Sequence, residues 1–467
     1  MYEQLAAEMR RLIMAKTFVA GEKVPSIRTL SQQLSIAPTT VRRAFQLLID
    51  EGWLEQSHGS GTYIADTFEM QAASFAAGFE SGLRRERRPC EVPNSLWQNT
   101  WASRLASVDG DATEYGADAV AAPVAAALLK PLQNALVHMD KIGSPGGNVE
   151  LRRHICAALR LSRAINCTEE DVIIVNGVEQ ARAFAARLFV DPGTTVAVED
   201  PCPFSVKNLF YSFGANLAPV PVDESGLVIE ELERLQGPAM LYVTPSAQNP
   251  TGAVLARRRR EYVANWAARS NCLIIEEDSG CDFIYESRQT AALASFDHSI
   301  RTIYIGSFEQ TIPVQWRLAY MVVPPAMREA CFRLKLISDR ATTPLAQAFS
   351  LHLYESDQIG KQIVRNQRHY QKLRDHLVSS LKTLLPDVAF APVKGGLRQM
   401  LWLDAAADDV KIVQEARRLG IHLYAVSPLF LRKPARPGLI IDFSDTTEAQ
   451  LEATVSVIKE LVGVNGT

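Results

Sequence analysis

No apolar run in this chain reaches the roughly eighteen residues that a membrane span requires, so no membrane-spanning helix is expected. An excess of charge of one sign is missing too. The 49 Lys and Arg stand against 52 Asp and Glu, a net charge of −3, so nothing global marks a nucleic-acid-binding surface. Any such role must sit in a local module. Cysteines are few, seven in 467 residues, odd in number, scattered, and never in a C-x-x-C arrangement. That pattern excludes a disulfide framework or a zinc ribbon and points to reduced thiols. The start, Met1-Tyr2-Glu3-Gln4, is not a basic segment followed by an apolar stretch, so a cytoplasmic location is expected. No internal repeat is apparent. The chain is long enough for a small module and a large domain.

What is present begins with Tyr2, Leu5, Met9, Leu12 and Ile13, apolar at helical spacing. GEKVPS at 21–26 ends that segment, and Ser26 suits the N-cap of a second helix over 27–34. After a short turn at 35–37, Pro38 fits the first turn of a third helix. Its Val41, Ala44, Leu47 and Leu48 face inward, while Thr39, Thr40, Arg42 and Arg43 are polar. Two short helices joined by a tight turn make a helix-turn-helix, in which the second helix points its N-terminal residues at base edges. HGSGTYI at 58–64 adds a glycine-rich turn between short strands, a wing. Three amphipathic helices and a hairpin also describe many small domains, so spacing alone leaves the assignment open.

The strings GEKVPSIRTL, TTVRRA, EGWL and HGSGTYI together resemble the winged-helix domain of the GntR regulators. The resemblance implies a DNA-binding domain over residues 1–66 and double-stranded DNA as partner. It carries over DNA contacts to Arg28, Thr39, Thr40 and Arg42, with His58 and Gly59 in the wing. Pro38 departs from the pattern, because many members have there an arginine that reads a base. Residues 1–65 are weakly charged, seven Lys and Arg against six Asp and Glu. Modest affinity per monomer and reliance on paired half-sites are therefore expected.

Residues 67–115 lack a sustained period and read as a linker. Its run RRERR at 84–88 is either a solvated connector or a second phosphate-contacting patch. From 116 onward, apolar runs at 172–175, 195–198, 240–243, 273–275, 302–305 and 319–323 alternate with helical segments. Strands separated by helices predict an α/β domain with a mostly parallel sheet over 116–467, closed by a smaller C-terminal α+β subdomain from about residue 370. In such folds chemistry gathers beyond the carboxyl ends of the strands.

YVTPSAQNPTG at 242–252, LIIEED at 273–278, YIGSF at 304–308 with Arg317 beyond it, and RNQRHY at 365–370 resemble the fold-type I aminotransferase domain of MocR-type GntR regulators. That resemblance covers essentially the whole chain and implies a homodimer, a small-molecule effector and a pyridoxal phosphate site. In the family a lysine binds the cofactor covalently, an acid bonds the pyridinium nitrogen, and serines, backbone amides and an arginine hold the phosphate. Here Gln310 stands at the lysine position, Glu277 at the pyridinium acid, and Ser279 at a tyrosine. Val178 and Glu179 replace a serine-glutamine pair, and Ile440 replaces a substrate-clamping arginine. Asn249, Ser307 and Arg317 match the ring-oxygen, phosphate and phosphate-arginine positions. A carboxylate beside the phosphate would cost roughly 4 kcal/mol per charge pair at about 4 Å and an effective dielectric near 20.

A DNA-binding regulator with a catalytically silent, ligand-sensing aminotransferase-like domain is therefore expected, without a covalent cofactor. Two alternatives stay open: pyridoxal phosphate as a noncovalent effector, or an active aminotransferase carrying a DNA-binding head and using another lysine such as Lys394. Three further positions have local readings. Phe204 stacks on a ring or joins the core, Arg398 clamps an anion, and the arginines at 257–260 form a solvated helix face.

Overall fold

The structure, a computed structural model, describes residues 143–464 apart from 236, 286–290, 309–315 and 435. In the N-terminal part it describes residues 2, 5, 6, 9 and 13, then 21–65 apart from 35, 52 and 58–60. These form two compact units on either side of the interval 66–142.

In the first unit, helix α1 spans Ile27–Leu34 and α2 spans Pro38–Asp50. Ser26 caps α1, its Oγ accepting from the Thr29 amide at 3.1 Å, and Pro38 opens α2, where its missing N–H costs nothing. The inward faces meet in one core of Ala6, Met9, Ile13, Val41, Ala44, Phe45 and Leu48. Strands β1 (Leu54–Ser57) and β2 (Gly61–Ile64) form an antiparallel hairpin whose Leu54 and Ile64 close that core. Lys23 bridges to Tyr63 and lies over its ring, which ties the segment before α1 to the wing.

The second unit begins with α3 (Val149–Arg163), capped by the Asn148 side chain, followed by β3 (Val172–Val175) and α4 (Val178–Phe189). Then come β4 (Thr195–Asp200), α5 (Phe204–Ser212), β5 (Asn216–Asp223), β6 (Gly226–Leu227), α6 (Ile229–Glu233), β7 (Met240–Val243), α7 (Arg257–Arg269), β8 (Leu273–Glu277), β9 (Thr302–Ser307) and β10 (Ala319–Val322). One eight-stranded sheet has the order β3-β10-β9-β8-β7-β4-β5-β6. The five strands from β9 to β5 are parallel neighbours; β10 runs antiparallel to both β3 and β9, and β6 antiparallel to β5.

Helices cover both faces, which is why the strands read as continuous apolar runs. Ile173, Val175, Tyr242, Ile275 and Ile305 pack on the side of α4 and α5, together with α8 (Arg328–Ser338). Val172, Ile174 and Tyr304 pack on the side of α3, together with α9 (Pro344–Glu355). The pleat carries this alternation to the end of β8. Glu277 shares its face with Ile275 and so looks toward α4, while Glu276 looks to the other side.

Helix α10 (Gln358–Leu384) leads to a three-stranded sheet of β11 (Arg398–Trp402), β12 (Tyr424–Ala425) and β13 (Gly438–Asp442) in the order β11-β13-β12. Helices α11 (Asp409–Arg418) and α12 (Glu448–Val464) complete it, with a core of Leu373, Leu377, Leu401, Ile441 and Val455.

Candidate effector site on the strand ends

Strands β3, β4, β7, β8 and β9 all point their carboxyl ends toward one edge, and the loops singled out by sequence lie there. The sharpest feature is at the end of β8. Glu277 is buried, and each carboxylate oxygen takes one guanidinium N–H of Arg182: Nε to Oε2 at 2.5 Å and Nη2 to Oε1 at 2.6 Å. Tyr242 Oη, from β7, donates to Oε2 at 2.7 Å, and the Ser279 hydroxyl lies 3.2 Å from Oε1. A carboxylate offers about four acceptor positions, and here four donors meet it. Burial alone would push the Glu277 carboxyl up, but the Arg182 charge and these hydrogen bonds hold it below the usual carboxylate range. The same pairing holds the buried Arg182 well above its ordinary value, against the cost of its own desolvation.

Arg182 arrives there because α4 starts at Val178, after Gly177, whose φ of +80° no β-carbon-bearing residue adopts easily. One turn on, the position at 182 faces the sheet. Glu179, in the first turn, points to the open end instead. Its carboxylate accepts from Arg317 Nη2 at 2.6 Å, with both side chains 53% exposed, and lies 3.9 Å from Arg182 Nη1. Arg317 itself has φ +44° at the start of the turn into β10. Ser307 ends β9 at the same edge, half-buried.

Farther along the edge, Asn249 Oδ1 accepts from Arg398 Nη1 at 2.9 Å, and Arg398 Nε reaches Asp442 at 2.9 Å. The residue proposed as an anion clamp thus holds β11 to β13 and to the 244–252 loop. That loop turns at Gly252, φ +67°, where a β-carbon would fall 2.7 Å from the Gly395 carbonyl. Ile440 is buried beside Val426 and Leu429. Phe204 packs against the same small cluster, with the Lys207 ammonium over its ring at 4.9 Å. Lys207 is buried and donates to the carbonyls of Pro428 and Leu429, and Lys394 Nζ donates to the Glu224 carbonyl.

These contacts bear on whether a pyridoxal phosphate fits. Glu277, which the resemblance places at the ring nitrogen, already has its acceptor positions met. Arg317, which the resemblance places at the phosphate, is bonded to the Glu179 carboxylate. Gln310 lies outside the described residues, and its amide has no nucleophilic amine. Among the described residues, Glu277 and Arg317 as they are bonded here do not fit the cofactor. Among the described residues no group of three or more His, Cys, Asp and Glu is placed to hold a metal.

In the first unit, Arg28, Thr39 and Arg42 are exposed and Thr40 is half-buried, with Thr39, Thr40 and Arg42 on the first turns of α2. His58 and Gly59 lie outside the described residues, as does the linker at 67–115. A cavity of about 590 Å³ runs along α10, lined by Lys361, Arg365, Arg368, His369 and Lys372, so part of the RNQRHY motif faces it.

Residues 114–458 match the family model for aminotransferase class I and II, and residues 1–64 match that for bacterial regulatory proteins of the gntR family. The chain belongs to the aminotransferase class I and II family. Its aminotransferase domain is joined to an N-terminal GntR domain, as in homologous regulators. The chain is 26% identical over 470 residues to the HTH-type transcriptional regulator YhdI of Bacillus subtilis, covering 98% of this chain and 95% of that protein. It is 27% identical over 453 residues to the "probable rhizopine catabolism regulatory protein MocR" of Rhizobium meliloti, covering 95% and 90%. With the HTH-type pyridoxine biosynthesis transcriptional regulator PdxR of Corynebacterium glutamicum it shares 25% over 461 residues, covering 99% and 96%. An archaeal alanine:glyoxylate aminotransferase shares the fold, with a TM-score of 0.69 at 22% identity over 73% of this chain and 87% of that one.

Two features of the aminotransferase domain differ from the sequence reading. Arg260 does not lie on a solvated face: it is fully buried and donates to the carbonyls of Leu255, Pro245 and Ala291, which fixes the loop after β7. Arg182 was not singled out at all. The available signal was a charged residue on the inward face of the helix after β3, paired with an acid one methylene longer than the family's aspartate.

Proposed function

We propose that this chain is a cytoplasmic, DNA-binding transcription regulator whose aminotransferase-like domain senses a small molecule without transamination. The winged helix of residues 1–66 reads paired half-sites, and the domain of 116–467 forms the homodimer that sets their spacing. Arg28, Thr39, Thr40 and Arg42, with His58 and Gly59 of the wing, contact DNA. The observation that carries the silent half of this reading is the set of four donors around Glu277, which takes the pyridinium acid out of service. Gln310 removes the amine that a covalent cofactor needs. Neither Lys207 nor Lys394 replaces it, since both ammonium groups are bonded to backbone carbonyls. Noncovalent pyridoxal phosphate is disfavoured on the same ground, because its ring nitrogen would meet a Glu277 already bonded to Arg182.

The effector pocket comprises Asn249, Glu277, Ser307, Gln310 and Arg317. An anionic metabolite enters it by exchanging with Glu179 on the half-exposed Arg317, and the shift in domain geometry reaches the DNA heads. Selection of random double-stranded DNA by the full chain tests the regulator reading. Enrichment of a sequence with two related half-sites is expected; recovery of unenriched DNA at low salt only would overturn it.

A further inference from the structure

We infer that the site carries built-in counterparts of both charged ends of the cofactor that its family holds. The Arg182 guanidinium takes the place of the protonated ring nitrogen opposite Glu277, and the Glu179 carboxylate takes the place of the phosphate opposite Arg317. The inference rests on reading these positions as the former cofactor site. It adds that the missing lysine is only one of three locks.

The four side chains form one alternating series. Glu277 is bonded to Arg182 at 2.5 and 2.6 Å, Arg182 lies 3.9 Å from Glu179, and Glu179 is bonded to Arg317 at 2.6 Å. It runs from a pair that is 6% and 7% exposed to a pair that is 53% exposed on both sides. Each charge has an opposite neighbour, so the chain's own residues neutralise the site. An acid buried as deeply as Glu277 requires a partner cation. Where a cofactor is resident its ring nitrogen can meet that need; here the second turn of α4 meets it. Glu179 stands in the first turn of the same helix, where a negative charge is favoured by the helix dipole, as a phosphate would be. Both counterparts come from α4, three positions apart, so one helix replaces both ends of one ligand.

Restoring the amine is therefore not sufficient to restore the cofactor. The test compares Q310K with E179S/R182L/Q310K in the full chain, each incubated with pyridoxal phosphate, reduced with borohydride and analysed by mass. No mass gain at position 310 is expected in Q310K, and a stoichiometric gain is expected in the triple variant. A stoichiometric gain in Q310K alone overturns the inference, as does a folded triple variant without one. A second arm does not depend on tolerance of the buried change. E179S changes an exposed side chain, and saturable quenching of its tryptophan fluorescence by pyridoxal phosphate should appear once the like charge is gone, where the unmodified chain shows none. No such quenching in E179S overturns the phosphate half of the inference. The outcomes are separable from those for the proposed function, which falls only if the unmodified chain forms an adduct or fails to select DNA.

Discussion

Replacing Arg182 by leucine leaves Glu277 in a buried position with its guanidinium partner gone. The two side chains are 7% and 6% exposed, and both carboxylate oxygens lose their charge-assisted bond. Breaking a buried pair from one side costs about 3–5 kcal/mol. Tyr242 and Ser279 still donate to Glu277, so the lower end, about 3 kcal/mol, is the expected loss. The sign of its pH dependence follows from the same burial. With Arg182 present, the Glu277 carboxyl is held below its ordinary value. Without it, desolvation raises the folded-state value above the unfolded one, so the variant is penalised least at low pH and most above neutrality. Urea unfolding of the wild type, R182L, E277L and R182L/E277L at pH 5 and pH 8 measures this. R182L should lose more at pH 8 than at pH 5, and the double variant should recover to within about 1 kcal/mol of the wild type, because an apolar pair needs no compensation. A loss below about 1 kcal/mol at both pH values, or strict additivity of the two single variants, would mean that Arg182 and Glu277 are not coupled as a buried ion pair.

Glu199, at the end of β4, is buried and accepts from the amide and hydroxyl of Thr244, yet burial pushes its carboxyl up to about 7. A raised folded value means that its contribution is fully present below the unfolded value of 4.5 and is lost as pH rises toward 7. E199Q should therefore flatten the fall in stability between those limits, by up to roughly 3 kcal/mol. Glu276, raised to about 7 by burial and by Asp278, leaves a residual slope of the same sign. In the winged helix, R42A should weaken binding to a selected DNA by about 1–3 kcal/mol if it reads a base. If it bonds only phosphate, the loss is uniform across sequences and the salt dependence falls by about one counterion. Competition titrations at two salt concentrations distinguish these outcomes.

Much of the large domain was legible because strands buried on both faces leave apolar runs. Val172 to Val175 and Met240 to Val243 read directly as strands and are strands. Strand β5 did not, because Pro219 and Pro221 argue against a central strand; it lies one place from the sheet edge, where β6 pairs only with its last two residues. The reversal of β10 was equally hidden, since an antiparallel strand buried on both faces has the same composition as a parallel one. The site was legible in part. Glu277 and Glu179 stood out as departures from the family pattern, and Val178, Ala181 and Ala185 at helical spacing put position 182 on the inward face without showing what it meets there. What Arg182 bonds depends on the pleat of β8, more than ninety positions later in the chain. Arg260 was misread for a related reason. A run of four arginines looks solvated, and only the three carbonyls that converge on it make burial tolerable.

The central claim is that the aminotransferase-like domain works without pyridoxal phosphate. It is tested most directly by titrating the purified, unmodified full chain with that cofactor, following visible absorbance and tryptophan fluorescence, then reducing with borohydride and measuring mass. No new visible band, no saturable quenching and an unchanged mass are expected. A saturable response ending in a reducible adduct on one specific lysine would contradict it.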